Sequence, residues 1–151
     1  IGVRLVGSEM CIRDRISTLS ERGVICNVTA IFTTEQIEKV VSILNPTTPA
    51  ILSVFAGRIA DSGIDPFEIM KKCGHISKSK PKTEILWAST REIINIFQAE
   101  KSGCQIITVP HELLKKLSTI GKDLKNYSLE TVLSFYNDAK EAGYSINKST
   151  K

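Results

Sequence analysis

Four short apolar runs recur along the chain, at residues 24–32, 50–55, 85–88 and 105–109, and each leads into a segment with apolar residues at helical spacing. The runs are continuous rather than strictly alternating, which is the pattern of strands covered on both faces in a parallel sheet. After the first run, Thr33-Thr34-Glu35-Gln36 places a hydroxyl at the N-cap and Gln at N3, a capping box that predicts a helix start. Ile37, Val40, Val41 and Leu44 then share one helical face. Asp65-Pro66-Phe67-Glu68 predicts a second start, with Asp65 as cap, Pro66 at the first helical position and Glu68 completing the box. A third helix is predicted over 91–101 with Gly103 as its stop. Two more are predicted over 110–120 and 128–142.

The order is therefore β-α-β-α-β-α-β-α-α. Right-handed crossovers would place the helices outside the strands. Four such units are half of an eight-fold barrel, which usually takes about 250 residues. The predicted fold class is α/β, a partial (β/α)8 TIM barrel of about four βα units plus C-terminal helices. A small open α/β sheet is the alternative; glycine-rich phosphate loops would favour it, and neither GxGxxG nor GxxxxGK[ST] occurs. Residues 1–15 give no clear βα unit. Gly7-Ser8-Glu9-Met10-Cys11-Ile12-Arg13-Asp14-Arg15 resembles a translated sequencing adapter, so 1–15 is expected to be non-native, 16–146 to be the barrel portion and 147–151 a tail.

Length and composition fit one globular domain with its own core: 151 residues, 42% hydrophobic and 24% charged. No apolar run approaches the roughly 20 residues of a membrane span, and Arg4, Glu9, Arg13 and Asp14 interrupt the N-terminal apolar stretch, so neither a membrane nor a secretory signal is expected. Cys11, Cys26, Cys73 and Cys104 show no CxxC pairing; they are expected to be reduced thiols of a cytoplasmic protein, with no metal bound. Part of the net charge of +4 comes from His75-Ile-Ser-Lys-Ser-Lys-Pro-Lys82. This basic loop lacks the interleaved aromatics that nucleic-acid binding uses, and it reads as a solvated connection.

In a parallel barrel the reactive face lies at the C-terminal strand ends. Polar residues there are Asn27 and Thr29 within the first run, Ser53 within the second, Arg58 after Gly57, and Ser89 and Arg91 where the third run passes into its helix. Asn27 and Thr29 are two apart and would point the same way. An arginine fork matches phosphate, and Ser89 would add a hydroxyl at a helix N-terminus. Each arginine alone reads as readily as the partner of a nearby acid, Asp61 or Glu92. Two at successive strand ends favour an anion site. Asn27, Thr29 and Ser53 could also merely satisfy one another.

The segments Asn27-Val-Thr-Ala-Ile-Phe-Thr33, Ser53-Val-Phe-Ala-Gly-Arg-Ile-Ala-Asp61, Ala88-Ser-Thr-Arg91 and Gly103-Cys-Gln-Ile-Ile-Thr-Val-Pro110 resemble the successive strand motifs of transaldolases, closest to the small transaldolase-like and fructose-6-phosphate aldolase branch. The similarity runs from about Ile16 to about Ile146. It implies a class I aldolase in which a strand lysine forms a Schiff base with a ketose phosphate, without a cofactor, and a three-carbon dihydroxyacetone unit passes between sugar phosphates of the pentose phosphate pathway. By the same resemblance Asn27 and Ser53 would hold the dihydroxyacetone part, Thr29 would position the catalytic water, and Arg58, Ser89 and Arg91 would take the phosphate. Phe55 stands at a substrate-binding position where fructose-6-phosphate aldolases tend to carry Tyr, which leans toward transfer.

A Schiff-base lysine needs a desolvated place on a strand, and none of the chain's lysines interrupts an apolar run. The family's lysine would lie just before Ile16, so this chain is expected to be a C-terminal fragment, inactive alone. The competing expectations are a fructose-6-phosphate aldolase, a non-catalytic sugar-phosphate-binding module, and an isomerase barrel, the last disfavoured because no carboxylate sits at a strand's C-terminal end. The last helix carries Leu129, Val132, Leu133 and Tyr136 as an apolar stripe. In relatives it can reach a neighbouring subunit of a homo-oligomer; packing on its own barrel is the simpler account. His75 and His111 receive no role, and Trp87 and Phe55 are expected in the core.

Overall fold

In the computed structural model of the chain, residues 3–6 and 10–144 are described, with side chains from residue 12 onward. The expected 147–151 tail lies outside these residues. The elements run β1 (Val3–Val6), α1 (Met10–Glu21), β2 (Cys26–Ile31), α2 (Thr34–Val41), β3 (Ala50–Val54), α3 (Ala56–Asp61), α4 (Phe67–Ser77), β4 (Thr83–Trp87), α5 (Ile94–Ser102), β5 (Ile106–Ile107), α6 (His111–Leu114) and α7 (Leu124–Glu141), with a 3-10 turn at Lys115–Thr119. The chain divides into two compact units, one ending at Lys116 and the other beginning at Leu117.

The five strands of the first unit form one sheet in the order β1-β2-β3-β4-β5, every pair parallel. Sequential parallel neighbours joined by helices are the repeating unit of a barrel wall, so the architecture is the expected α/β one. The strand at Val3–Val6 and the helix from Met10 were not legible in the sequence, which offered no βα unit before residue 15.

Register is set by the helix-facing rows. Cys26 pairs with Ala50 and Ala50 with Thr83; Val28 pairs with Leu52 and Leu52 with Ile85. Val28, Leu52 and Ile85 are 2%, 0% and 0% exposed, and they join Ile16, Ile37, Val41, Leu44, Met70 and Cys73 in a single apolar cluster. Each fully buried Val, Leu or Ile contributes roughly 1.5–3 kcal/mol.

Local chemistry starts α2 as the sequence predicts. Thr33 accepts from the Gln36 amide at 3.3 Å, while Gln36 Oε1 accepts from the Phe32 and Thr33 amides at 2.8 and 3.1 Å. At α4 the predicted box does not form: Pro66 stands at the N-cap with no side-chain cap bond, and Asp65 accepts from the Phe67 amide, two residues on, at 2.9 Å. Gly103 closes α5 in the left-handed conformation. In the second unit, Asp123 caps α7 by accepting from the Asn126 amide at 3.0 Å, so this helix starts four residues ahead of the predicted 128. No helix among the described residues is long and apolar enough to cross a membrane.

Cys26, Cys73 and Cys104 are free thiols. Burial, followed by the nearby Cys104, pushes the Cys73 thiol up to about 12 from its ordinary 9.0. A raised folded-state value means that the unfolded chain loses this proton first. The stabilisation is therefore complete below about pH 9 and is lost as pH climbs toward 12. We expect the urea midpoint to fall over that alkaline window less steeply in Cys73→Ala than in the wild type. Iodoacetamide should leave Cys73 unmodified in the folded chain. Equal slopes in the two proteins, or prompt alkylation, would contradict the buried placement.

Candidate functional site

Residues paired across parallel strands point to the same side of the sheet. Asn27 pairs with Ile51 and so shares a face with Ser53, two positions further along. Ser53 is 4% exposed, and its hydroxyl donates to Asn27 Oδ1 at 2.7 Å. The two candidate polar side chains are thus joined on the face opposite the helix-packed core. Their mutual hydrogen bond is the arrangement the sequence left open as the simpler alternative.

Thr29 is buried at 3% exposure, and a bulge adjoins it. The β2–β3 register shifts between Val28 and Ile31, and Ala30 adopts φ 62°. An alanine in this left-handed region costs on the order of 1–3 kcal/mol, and bulges of this kind re-aim neighbouring side chains. Pairing with β1 runs unbroken from Asn27 to Thr29, and the left-handed residue of the bulge is Ala30, one position beyond Thr29.

The carboxyl ends of β3 and β4 meet at one rim. β3 runs through Phe55 directly into α3, a six-residue helix absent from the sequence reading, which carries both Arg58 and Asp61. The Gly57 amide donates to the Ala88 carbonyl at 3.2 Å. A Cβ on Gly57 would stand 1.6 Å from the Ser89 carbonyl oxygen, 2.6 Å from its carbon and 3.2 Å from Arg91 Cγ. Only glycine lets the two strand ends come this close. Ser89 itself sits at φ 63°, the second strained non-glycine residue of the sheet's carboxyl end.

Arg91 Nη2 donates to Asp61 Oδ2 at 2.7 Å, both side chains about half exposed at 49% and 52%. An exposed pair of this kind contributes about 0–1 kcal/mol, so an incoming anion can replace the carboxylate at little cost. Arg58 is exposed, and its guanidinium lies 5.3 Å from the centre of the Phe55 ring, which in turn packs against Phe32 at 5.7 Å. Phe55 is thus a half-buried platform for Arg58, unlike the fully buried Trp87.

The helix-terminus role predicted for Ser89 and Arg91 is corrected. α5 begins at Ile94, and the intervening turn is held by Asn95, whose Oδ1 accepts from the Arg91 and Glu92 amides at 3.0 and 2.9 Å. Thr90 ties the same loop to the last strand by donating to the Thr108 carbonyl at 2.6 Å. Asn95, Thr90 and Gly57 were not picked out from the sequence. The -Arg-Glu-x-x-Asn- spacing, which lets a side chain reach back to amides three and four residues earlier as the second half of a capping box does, was the available signal for Asn95. No group of three or more His, Cys, Asp or Glu among the described residues comes together to hold a metal ion.

A parallel βα ladder with its helices outside and charged loops at the carboxyl rim defines an α/β protein of barrel type. The profile of the Transaldolase/Fructose-6-phosphate aldolase family matches residues 14–151, and the chain belongs to that family. It is 36% identical over 106 residues to a probable transaldolase of Caldicellulosiruptor saccharolyticus, covering 68% of this chain and 46% of that protein. It is 32% identical over 133 residues to a probable transaldolase of Thermoanaerobacter sp., covering 87% and 57%, and 32% identical over 126 residues to one of Nitrosopumilus maritimus, covering 82% and 54%. The chain thus spans about half the length of these curated relatives.

Gly57→Ala is expected to lower stability by about 1–3 kcal/mol, because the added methyl must displace the Ser89 peptide. Gly63→Ala is the control. It lies just past α3 at φ +83° with nothing within 4 Å of the added carbon, so it carries backbone strain without a clash. Urea midpoints compare the two; a Gly57→Ala loss no larger than that of Gly63→Ala would contradict the close approach.

Proposed function

We propose that the chain is the phosphate-binding half of a Schiff-base transaldolase of carbohydrate metabolism in the cytoplasm. Family membership and the probable transaldolases among its relatives support this reading. The observation that supports it is the Gly57–Ser89 contact, at which the β3 end leading into Arg58 meets the β4 end that carries Ser89 and Arg91.

In this mechanism Arg58, Ser89 and Arg91 take the phosphate of a sugar phosphate, and the Arg91–Asp61 pair opens to admit it. Asn27 and Ser53 exchange their mutual hydrogen bond for bonds to the hydroxyls of the dihydroxyacetone unit. Thr29 orients the water that moves protons, and Phe55 keeps Arg58 in place. The family's nucleophilic lysine belongs on the strand just before Ile16, where β1 carries none, and no other described strand supplies one. The chain alone is then inactive. The full-length protein works without metal or cofactor, and as a homo-oligomer if α7 docks on a neighbouring subunit.

Extending the reading frame upstream and assaying transfer from fructose 6-phosphate to an aldehyde acceptor tests the proposal. Turnover is expected from the full-length protein and not from the 151-residue chain. Arg91→Ala in the full-length protein should raise KM for the phosphorylated donor roughly tenfold or more, since a charge-assisted hydrogen bond contributes about 1.5–3 kcal/mol. Turnover by the 151-residue chain would overturn its assignment as an inactive half. An unchanged KM in Arg91→Ala would remove Arg91 from the phosphate site. Cleavage to free dihydroxyacetone, with no transfer, would favour the aldolase; binding without either reaction would favour a sugar-phosphate-binding module.

A further inference from the structure

A second basic site lies at the other end of the strands. A cavity of about 520 Å³ opens where α4 ends, where the 78–83 turn enters β4, and where α5 ends before β5. Lys71, His75, Lys78, Lys80 and Lys101 line it, and no Asp or Glu does. Lys71, His75 and Lys78 recur at helical spacing along α4 and its C-cap, so one helix face delivers three of the basic groups.

The cavity is framed by hydrogen-bonded backbone. The Lys80 amide donates to Ser77 O at 2.9 Å and the Thr83 amide to Lys80 O at 2.8 Å, closing the turn. Gln105 accepts from the Ile85 amide at 2.8 Å and donates to Gly103 O at 2.7 Å. Ser77 and Ser102 spend their hydroxyls on Gly74 O and Ala99 O, at 3.0 and 2.8 Å. Lys80 reaches the Leu44 carbonyl. The remaining lining lysines, Lys71, Lys78 and Lys101, take part in no ion pair among the described residues.

The carbonyl ends of α4 and α5 also point into this region. Each helix C-terminus carries about half a negative charge, together about one, against four lysines. The helix ends explain why lysines are tolerated here, but they do not neutralise them. A cavity of this size falls within the range that holds small ligands, roughly 300–1,000 Å³. Pro81 and the lysine stems give it an apolar wall beside the ammonium groups.

We propose that this cleft binds a small oligophosphate, a linear chain of condensed phosphates either free or carried by a nucleoside. Several ammonium groups without carboxylate partners, spread around one cavity, match a ligand whose charges are likewise spread along a chain. A single phosphate would engage only part of the set.

Isothermal titration of the 151-residue chain with sodium tripolyphosphate tests it, followed by adenosine triphosphate. Saturable binding is expected, weakened roughly tenfold or more by the double variant Lys78→Ala/Lys101→Ala and unchanged by Lys39→Ala, which removes an exposed cation of α2 that does not line the cleft. Far-UV circular dichroism reports whether the double variant stays folded. Independently of it, amide shifts on titrating the wild type should centre on Gly74 and Gly103. Tighter binding of adenosine triphosphate than of tripolyphosphate identifies a nucleotide, and equal affinity a free oligophosphate. No saturable binding, shifts centred elsewhere, or loss of binding in Lys39→Ala alone would overturn the proposal.

Discussion

Val28, Leu52 and Ile85 lie side by side across β2, β3 and β4, and nearly all of their surface is withdrawn from water. A slip of one residue between any two strands would turn this row toward the opposite face and bring Asn27 or Ser53 into the apolar layer under the helices. Three such side chains hold register by several kcal/mol, more than any polar contact on the other face supplies. The make-up of the carboxyl rim depends on that register, because it decides which residues emerge together from β3 and β4.

Given the register, the rim is shaped more by backbone than by charge. Gly57 lets α3 rest against the Ser89 peptide, and Ser89 accepts a left-handed conformation there. Strain of this kind persists only where surrounding structure over-determines it. Here the Gly57–Ala88 hydrogen bond holds the loop from one side and the Thr90–Thr108 bond from the other. The Arg91–Asp61 pair spans the same gap from above but is half exposed and weak. The rigid part of the rim is therefore its main chain, and the replaceable part is its ion pair.

How much of this was legible in the sequence follows from how local each cause is. The Thr33/Gln36 box was readable because its partners are three and four residues apart. The strands of β2 to β4 were readable because burial on both faces leaves a continuous apolar run. β5 pairs over only two residues, because its flanks are the polar Gln105 and Thr108, which each add one backbone bond to β4 without extending the strand. α3 has six residues, too few to show a helical period, so Arg58 and Asp61 read as loop. The left-handed residues were hidden for the opposite reason: Ala30 and Ser89 carry no local preference for that conformation, and only contacts from other strands impose it. Ser89 stands away from the helix N-terminus for the same reason, since Asn95, not the strand end, organises the turn into α5.

The two ends of the sheet present cations of different physics. At the carboxyl rim the cations are arginines, planar and always charged, one seated on Phe55 and one aligned by Asp61. A guanidinium fork suits an oxyanion of fixed position. At the amino end the cations are lysines on helix ends and a turn. Each is a point charge on a flexible stem, and ordering it costs up to about 2 kcal/mol of side-chain entropy. Such a cluster gains strength only by engaging several charges at once, so it discriminates by the ligand's total charge and length rather than by the geometry of one group. A parallel sheet with helices outside separates these two chemistries by the length of its strands, and each can change without disturbing the other.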